Sequence, residues 1–96
     1  MQGIVLQDLY EQISHLHEIE FIFNSMTYML QPEINEEKNW LTIWMCSDKP
    51  HCICRHEIPE HGDIPKEIID SVLSEKCFNG KSFLEVEKDI EVTVIY

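Results

Sequence analysis

Two short β-prone runs, Ile19 to Phe23 and Met26 to Leu30, are separated only by Asn24 and Ser25. That spacing limits the fold more than any other feature of the chain. A two-residue loop sets one antiparallel register: Phe23 opposite Met26, Phe21 opposite Tyr28, Ile19 opposite Leu30. Side chains alternate along a strand, so those six share one face, while Glu20, Ile22, Thr27 and Met29 share the other. The first face is wholly apolar and needs a covering layer. The spacing predicts a hairpin with one buried side.

Helices supply that layer. In Ile4 to Glu18, Leu6, Leu9, Ile13 and Leu16 recur at steps of three and four, the stripe of an amphipathic helix. Asp8, Glu11, His15 and Glu18 repeat at the same spacing on another side and are expected to face water. Pro32 is expected to end the second strand, with Glu33 to Asn39 as an acidic loop. Trp40 to Cys46 is apolar enough on both faces for a central strand. Ser47 to Pro50 is turn material, and His51 to Ile58 reads as a fourth strand. Asp63 is placed as the cap of a second helix with Pro65 in its first turn. Ile68, Ile69, Val72 and Leu73 form that helix's buried side, and Asn79-Gly80 is its expected stop. Ser82 to Glu85 fits a capping box, predicting a short third helix in preference to a hairpin turning at Lys88-Asp89. Ile90, Val92, Val94 and Tyr96 alternate as a last strand. The echo between Phe23-Asn24-Ser25 and Phe78-Asn79-Gly80 is too short to be a repeat. The predicted order is αββββααβ: one α+β domain over residues 1–96, with a mostly antiparallel sheet of four to five strands and helices on one face.

At 96 residues the chain can bury one modest core, roughly 60–70% of its unfolded surface. With 44% hydrophobic and 26% charged residues it has the composition of a folded protein. Its charge stands out. No Lys or Arg precedes Lys38, whereas Asp8, Glu11, Glu18, Glu20, Glu33, Glu36 and Glu37 do, and the net charge is -11. Such a field repels nucleic acid, anionic membrane and acidic substrates, and it attracts basic surfaces. Met1 to Asp8 has neither a basic segment nor a long apolar run, so the expected location is cytoplasmic, with reduced cysteines. For a phage protein that would be the host cell cytoplasm.

Cys46, His51, Cys52, Cys54, His56 and His61 are crowded into sixteen residues. Thiolate and imidazole suit zinc, and Cys46, Cys52, Cys54 and His56 are the alternative metal set. The spacing argues for no metal and no cofactor: Cys52 and Cys54 on one strand lie about 7 Å apart. A four-residue loop pairs Cys46 with His51 and leaves Leu41, Ile43, Met45, Cys52 and Cys54 on one buried face. A five-residue loop would instead pair Cys46 with Cys52 and gather the thiols. The first register is preferred, because free Cys is usually buried. No phosphate loop, nucleophile elbow or base-activated nucleophile is present, so no catalytic residue and no enzyme is expected. Trp40 and Trp44 share a face with Thr42. Packing beneath a helix is the default for them, an exposed interface anchor the alternative.

The stretch Phe78-Asn79-Gly80-Lys81-Ser82-Phe83-Leu84-Glu85-Val86-Glu87-Lys88-Asp89-Ile90-Glu91-Val92 resembles a segment of small uncharacterised acidic proteins of Firmicutes and their phages. Element order and acidity are also similar to those of some small phage-encoded inhibitors of Cas9, which present carboxylates where the nuclease expects DNA phosphates. The C-terminal strand and the Cys/His-rich fourth strand depart from them. The resemblance implies an anti-CRISPR-like DNA mimic.

The leading expectation is an acidic protein-binding module that blocks a basic, nucleic-acid-binding surface of a partner, without itself binding nucleic acid or membrane. Its expected contacts are Asp8, Glu11, Glu18, Glu20, Glu33, Glu36 and Glu37. Alternatives are an immunity protein for a basic toxin, a Cys/His metal-binding regulator, and a small structural or oligomerising domain whose acidity keeps it soluble.

Overall fold

The computed structural model describes residues 1–96. The elements are α1 (Leu6–Ser14), β1 (Ile19–Phe23), β2 (Met26–Ile34), β3 (Asn39–Cys46), β4 (His51–Ile58), α2 (Lys66–Ser74), a 3-10 turn at Glu87–Asp89, and β5 (Glu91–Ile95). The strands form one antiparallel sheet in the order β4-β3-β2-β1-β5, an α+β architecture. Neither helix is long and apolar enough to cross a membrane.

The β1–β2 hairpin has the expected register, Ile19 against Leu30 through Phe23 against Met26. Asn24 and Ser25 hold φ of 54° and 64°, the two left-handed positions that let a tight turn follow the strand twist. β2 then runs through Pro32 to Ile34 rather than stopping. By the parity of the ladder, Pro32 turns its nitrogen toward the β1 side, where β1 has already ended. The missing N–H therefore costs no bond. The strand β1 is interior, flanked by β5, so Glu18 and Glu20 do not border a free edge.

All the helical mass lies on one side. Leu9 and Ile13 of α1, and Ile69, Val72 and Leu73 of α2, join Ile19, Phe21, Tyr28, Leu30, Leu41 and Ile43 of the sheet in a single core, with Ile68 packed against it. Helix α1 ends at Ser14, short of the predicted Glu18. Leu16 takes the left-handed conformation (φ 69°), with Leu16 N–H donating to Ile13 O and His17 N–H to Gln12 O. That is the hydrogen-bond pattern of a Schellman stop, with Leu where Gly is usual.

Three further boundaries differ from expectation. Pro65, not Asp63, precedes α2, and the Asp63 carboxylate meets His15 Nδ1 at 3.3 Å. Helix α2 stops at Ser74, because Glu75 turns extended and leads Phe78 into the sheet side. There Phe78 packs against Tyr28 at 5.2 Å, while Phe21 meets Phe83 at 5.3 Å between ring centroids. Asn79 and Gly80 (φ 55° and 85°) form a reversal closed by mutual bonds between Phe78 and Lys81, not a helix stop. The capping box does form: Ser82 N–H reaches Glu85 Oε1 at 3.0 Å, and Glu85 N–H reaches Ser82 Oγ at 3.1 Å. It caps consecutive turns and the 3-10 segment instead of a third helix, since Phe83, Val86 and Ile90 must all reach the core.

At the far edge, Gln2 bridges to β5 through Gln2 N–H to Ile90 O (2.9 Å) and Val92 N–H to Gln2 O (2.8 Å). The adjoining Gly3 has φ 92°, and a Cβ there would collide with the Val92 carbonyl oxygen. Gly3→Ala is expected to lower unfolding free energy by about 1–3 kcal/mol. Ser25→Gly, which removes a left-handed non-glycine, is expected to raise it by up to about 1 kcal/mol. Urea denaturation of both variants checks the two signs.

Candidate functional site

Residues facing away from the helices form the second side of the sheet, and no element covers it. Trp40, Thr42 and Trp44 of β3 stand there beside Met29, Gln31 and Glu33 of β2 and Glu20 and Ile22 of β1. The two tryptophans, Met29 and Ile22 are part-exposed and belong neither to the core nor to its packed margin. Core packing, the default for Trp40 and Trp44, is therefore not what the fold does with them. They lie on the uncovered side because strand parity, set at Phe23–Met26, gives the helix side to Leu41 and Ile43.

This side is held by its own polar contacts. Glu33 Oε2 accepts from Thr42 Oγ1 at 2.7 Å and from Trp44 Nε1 at 2.5 Å. Thr42 is 0% exposed although nothing lies above it except its neighbours. Arg55 sits 3.9 Å from the Trp40 ring centroid, a stacked cation–π contact. Glu20 accepts from Thr93 Oγ1 at 2.7 Å.

The seven acids of the first 37 residues do not converge. Asp8 and Glu11 are exposed on α1, where Glu11 lines a groove with Leu6, Tyr10 and Lys66. In that groove Tyr10 donates to Asp70 at 2.6 Å, and burial together with this bond pushes the phenol up to about 12. Glu18 is half-buried between α1 and β1. Glu20 and Glu33 share the tryptophan side but are engaged internally. Glu36 and Glu37 are exposed in the β2–β3 loop, where Asn35 Oδ1 accepts from the backbone amides of Glu37 and Lys38.

The cysteine register follows neither expected loop. Met45, not Cys46, pairs with His51, and Trp44 pairs with Cys52. The ladder then shifts, so that Ile43 pairs with Cys54 and Ile53 is the extra residue of a bulge. The bulge sends Cys52 to the tryptophan side and Cys54 to the helix side. Cys52 is exposed, contrary to the expected core position, while Cys54 is 3% exposed. Cys46 follows Trp44 on the tryptophan side by alternation. The alternative metal set Cys46, Cys52, Cys54 and His56 is thus split between two faces.

A different set meets at the corner of β4 and α2. Ligating atoms of Cys54, His56 and Glu75 all lie within 4.8 Å of one another, with His56 Nε2 and Glu75 Oε1 at 2.8 Å. Cys54 Sγ itself donates to the Val72 carbonyl oxygen at 3.9 Å. The neighbouring Cys77, then burial and the Glu75 carboxylate, push the Cys54 thiol up, while Cys54 lowers the Cys77 thiol. Glu75 escaped sequence reasoning because it fell inside the predicted second helix.

Compared with protein-family models, curated proteins and solved structures, the chain matches none.

Truncating the shared acceptor tests the tryptophan side. Glu33→Ala strips a partner from the buried Thr42 hydroxyl and from the Trp44 indole. It is expected to destabilise the fold by about 1–3 kcal/mol and to alter tryptophan fluorescence. Unchanged stability and emission would show the contact to be dispensable.

Proposed function

We propose that the protein is an acidic binding module that covers a basic, nucleic-acid-binding surface of another protein. The observation that supports this most directly is the uncovered side of the sheet. Two tryptophans, Met29 and Ile22 remain part-exposed there, in a chain whose net charge is -11. Trp is the residue most enriched among energetic anchors of protein interfaces. A surrounding negative field selects partners rich in Lys and Arg and speeds their encounter.

Within that reading, the apolar strip supplies the contact area, and the exposed Glu36 and Glu37 of the β2–β3 loop supply carboxylates free to meet cations. Glu33 belongs to the scaffold, since its carboxylate is engaged by Thr42 and Trp44. The finer form of the proposal is a phage-encoded inhibitor of a defence nuclease. It is motivated by acidity and by the element order shared with small Cas9 inhibitors.

The test is binding to guide-loaded Cas9, with and without target DNA, across a salt series. Expected is competition with DNA and an affinity that falls at least about tenfold between low and physiological salt. Reversing Glu36 and Glu37 to Lys should weaken binding further, and Trp40→Ala should cost about 2 kcal/mol. Binding indifferent to ionic strength would remove the electrostatic reading. Absence of binding would remove the nuclease assignment.

A further inference from the structure

We infer that Cys54, His56 and Glu75 form a site for a divalent transition metal of the zinc class, at the corner where β4 meets the end of α2. Sulfur, imidazole nitrogen and carboxylate oxygen are the three donor types that zinc takes in proteins. Here they converge to within 4.8 Å from two separate elements. Tetrahedral zinc, with bonds of about 2.0–2.3 Å, sets its ligand atoms roughly 3.3–3.8 Å apart. The corner needs the 2.8 Å His56–Glu75 contact to open and any separation near the 4.8 Å limit to close by about 1 Å. Three protein donors leave the fourth tetrahedral position to a water molecule.

Several features of the corner favour an ion over a mere packing of polar side chains. The Glu75 carboxylate has no Lys or Arg partner; its one ion-pair contact is His56. The side chains of His56 and Glu75 are 30% and 41% exposed, so an ion has a way in from solvent, while Cys54 closes the floor. The extended backbone at Glu75 ends α2 and brings the Glu75 carboxylate to His56 on the strand that also carries Cys54. On binding, the Cys54 thiol releases its proton to solvent, and His56 coordinates through Nε2 as neutral imidazole, giving up its hydrogen bond to Glu75. A Cys–His–Glu catalytic triad does not fit the same atoms, because the Cys54 sulfur is too buried to meet a substrate.

The ligand set differs from a cluster drawn from neighbouring cysteines. Cys46 and Cys52, on the other side of the sheet, are excluded from it, and this separates the two possibilities experimentally. Chelator-treated, fully reduced protein is titrated with Zn2+ against a chromophoric competitor and, separately, with Co2+ followed by absorbance. One ion per chain is expected, with a thiolate-to-cobalt charge-transfer band and a rise in Tm on zinc addition. His56→Ala and Glu75→Gln should each weaken binding at least about tenfold, whereas Cys46→Ser and Cys52→Ser should bind like the parent. Cys54→Ser should lose the charge-transfer intensity of that thiolate. Because Cys54 is buried and its replacement can disturb folding, the part-exposed His56 and Glu75 variants decide. Absence of saturable one-to-one binding overturns the site, as does parental affinity in both of those variants or loss of binding on replacing Cys46 or Cys52.

Discussion

A slip of one residue at Phe23–Met26 would turn over every side chain of β2, and with it the whole sheet. The two-residue turn prevents that slip. β3 pairs with β2 from Thr27–Cys46 to Ile34–Asn39, so the parity chosen at the turn passes to Leu41 and Ile43 on one side and to Trp40, Thr42 and Trp44 on the other. Each later feature inherits this choice: which residues the helices cover, which remain open, and which face β4 must match. The hydrophobic driving force is non-directional, and the turn gives it a direction.

The bulge at Ile53 breaks that inheritance on β4, as a register shift between Glu20 and Phe21 does on β5. Without the bulge, alternation would put Cys52 and Cys54 on the same side. With it, one thiol lies beside Trp44 and the other beneath α2. Bulges at sheet edges commonly re-aim a side chain, and β4 is an edge strand. The extra residue is what places Cys54 opposite Glu75 while His56, two residues on, keeps the same side.

What could be read from the chain divides along local and non-local lines. The hairpin, the central β3, the α1 stripe and the α+β class depend on alternation, helical periodicity or turn chemistry that neighbouring residues carry. The expected alternation of the last strand, by contrast, is broken between Val92 and Val94, which pair with Phe21 and Glu20 across a register shift. The ends of helices were less legible. Leu16 adopts a conformation usually given to Gly, and α2 stops at Ser74 because Phe78 is required in a distant aromatic cluster. Asn79-Gly80 is as good a turn as it is a helix stop, and tertiary demand selected the turn. Its likeness to Asn24-Ser25 is therefore shared turn geometry, with both residues of each pair at positive φ. The thiol corner was legible only by half: Cys54 and His56 were visible, but bringing in Glu75 needed both the bulge and the early end of α2.

The bonds around Thr42 also bear on the thermodynamics of recognition. A tryptophan on an open surface ordinarily samples several rotamers, and fixing it against a partner costs conformational entropy. Trp44 is already fixed by its indole bond to Glu33, and Trp40 by the guanidinium of Arg55. That ordering is met by folding rather than by association. A partner meets a rigid template, so more of the contact energy appears as affinity.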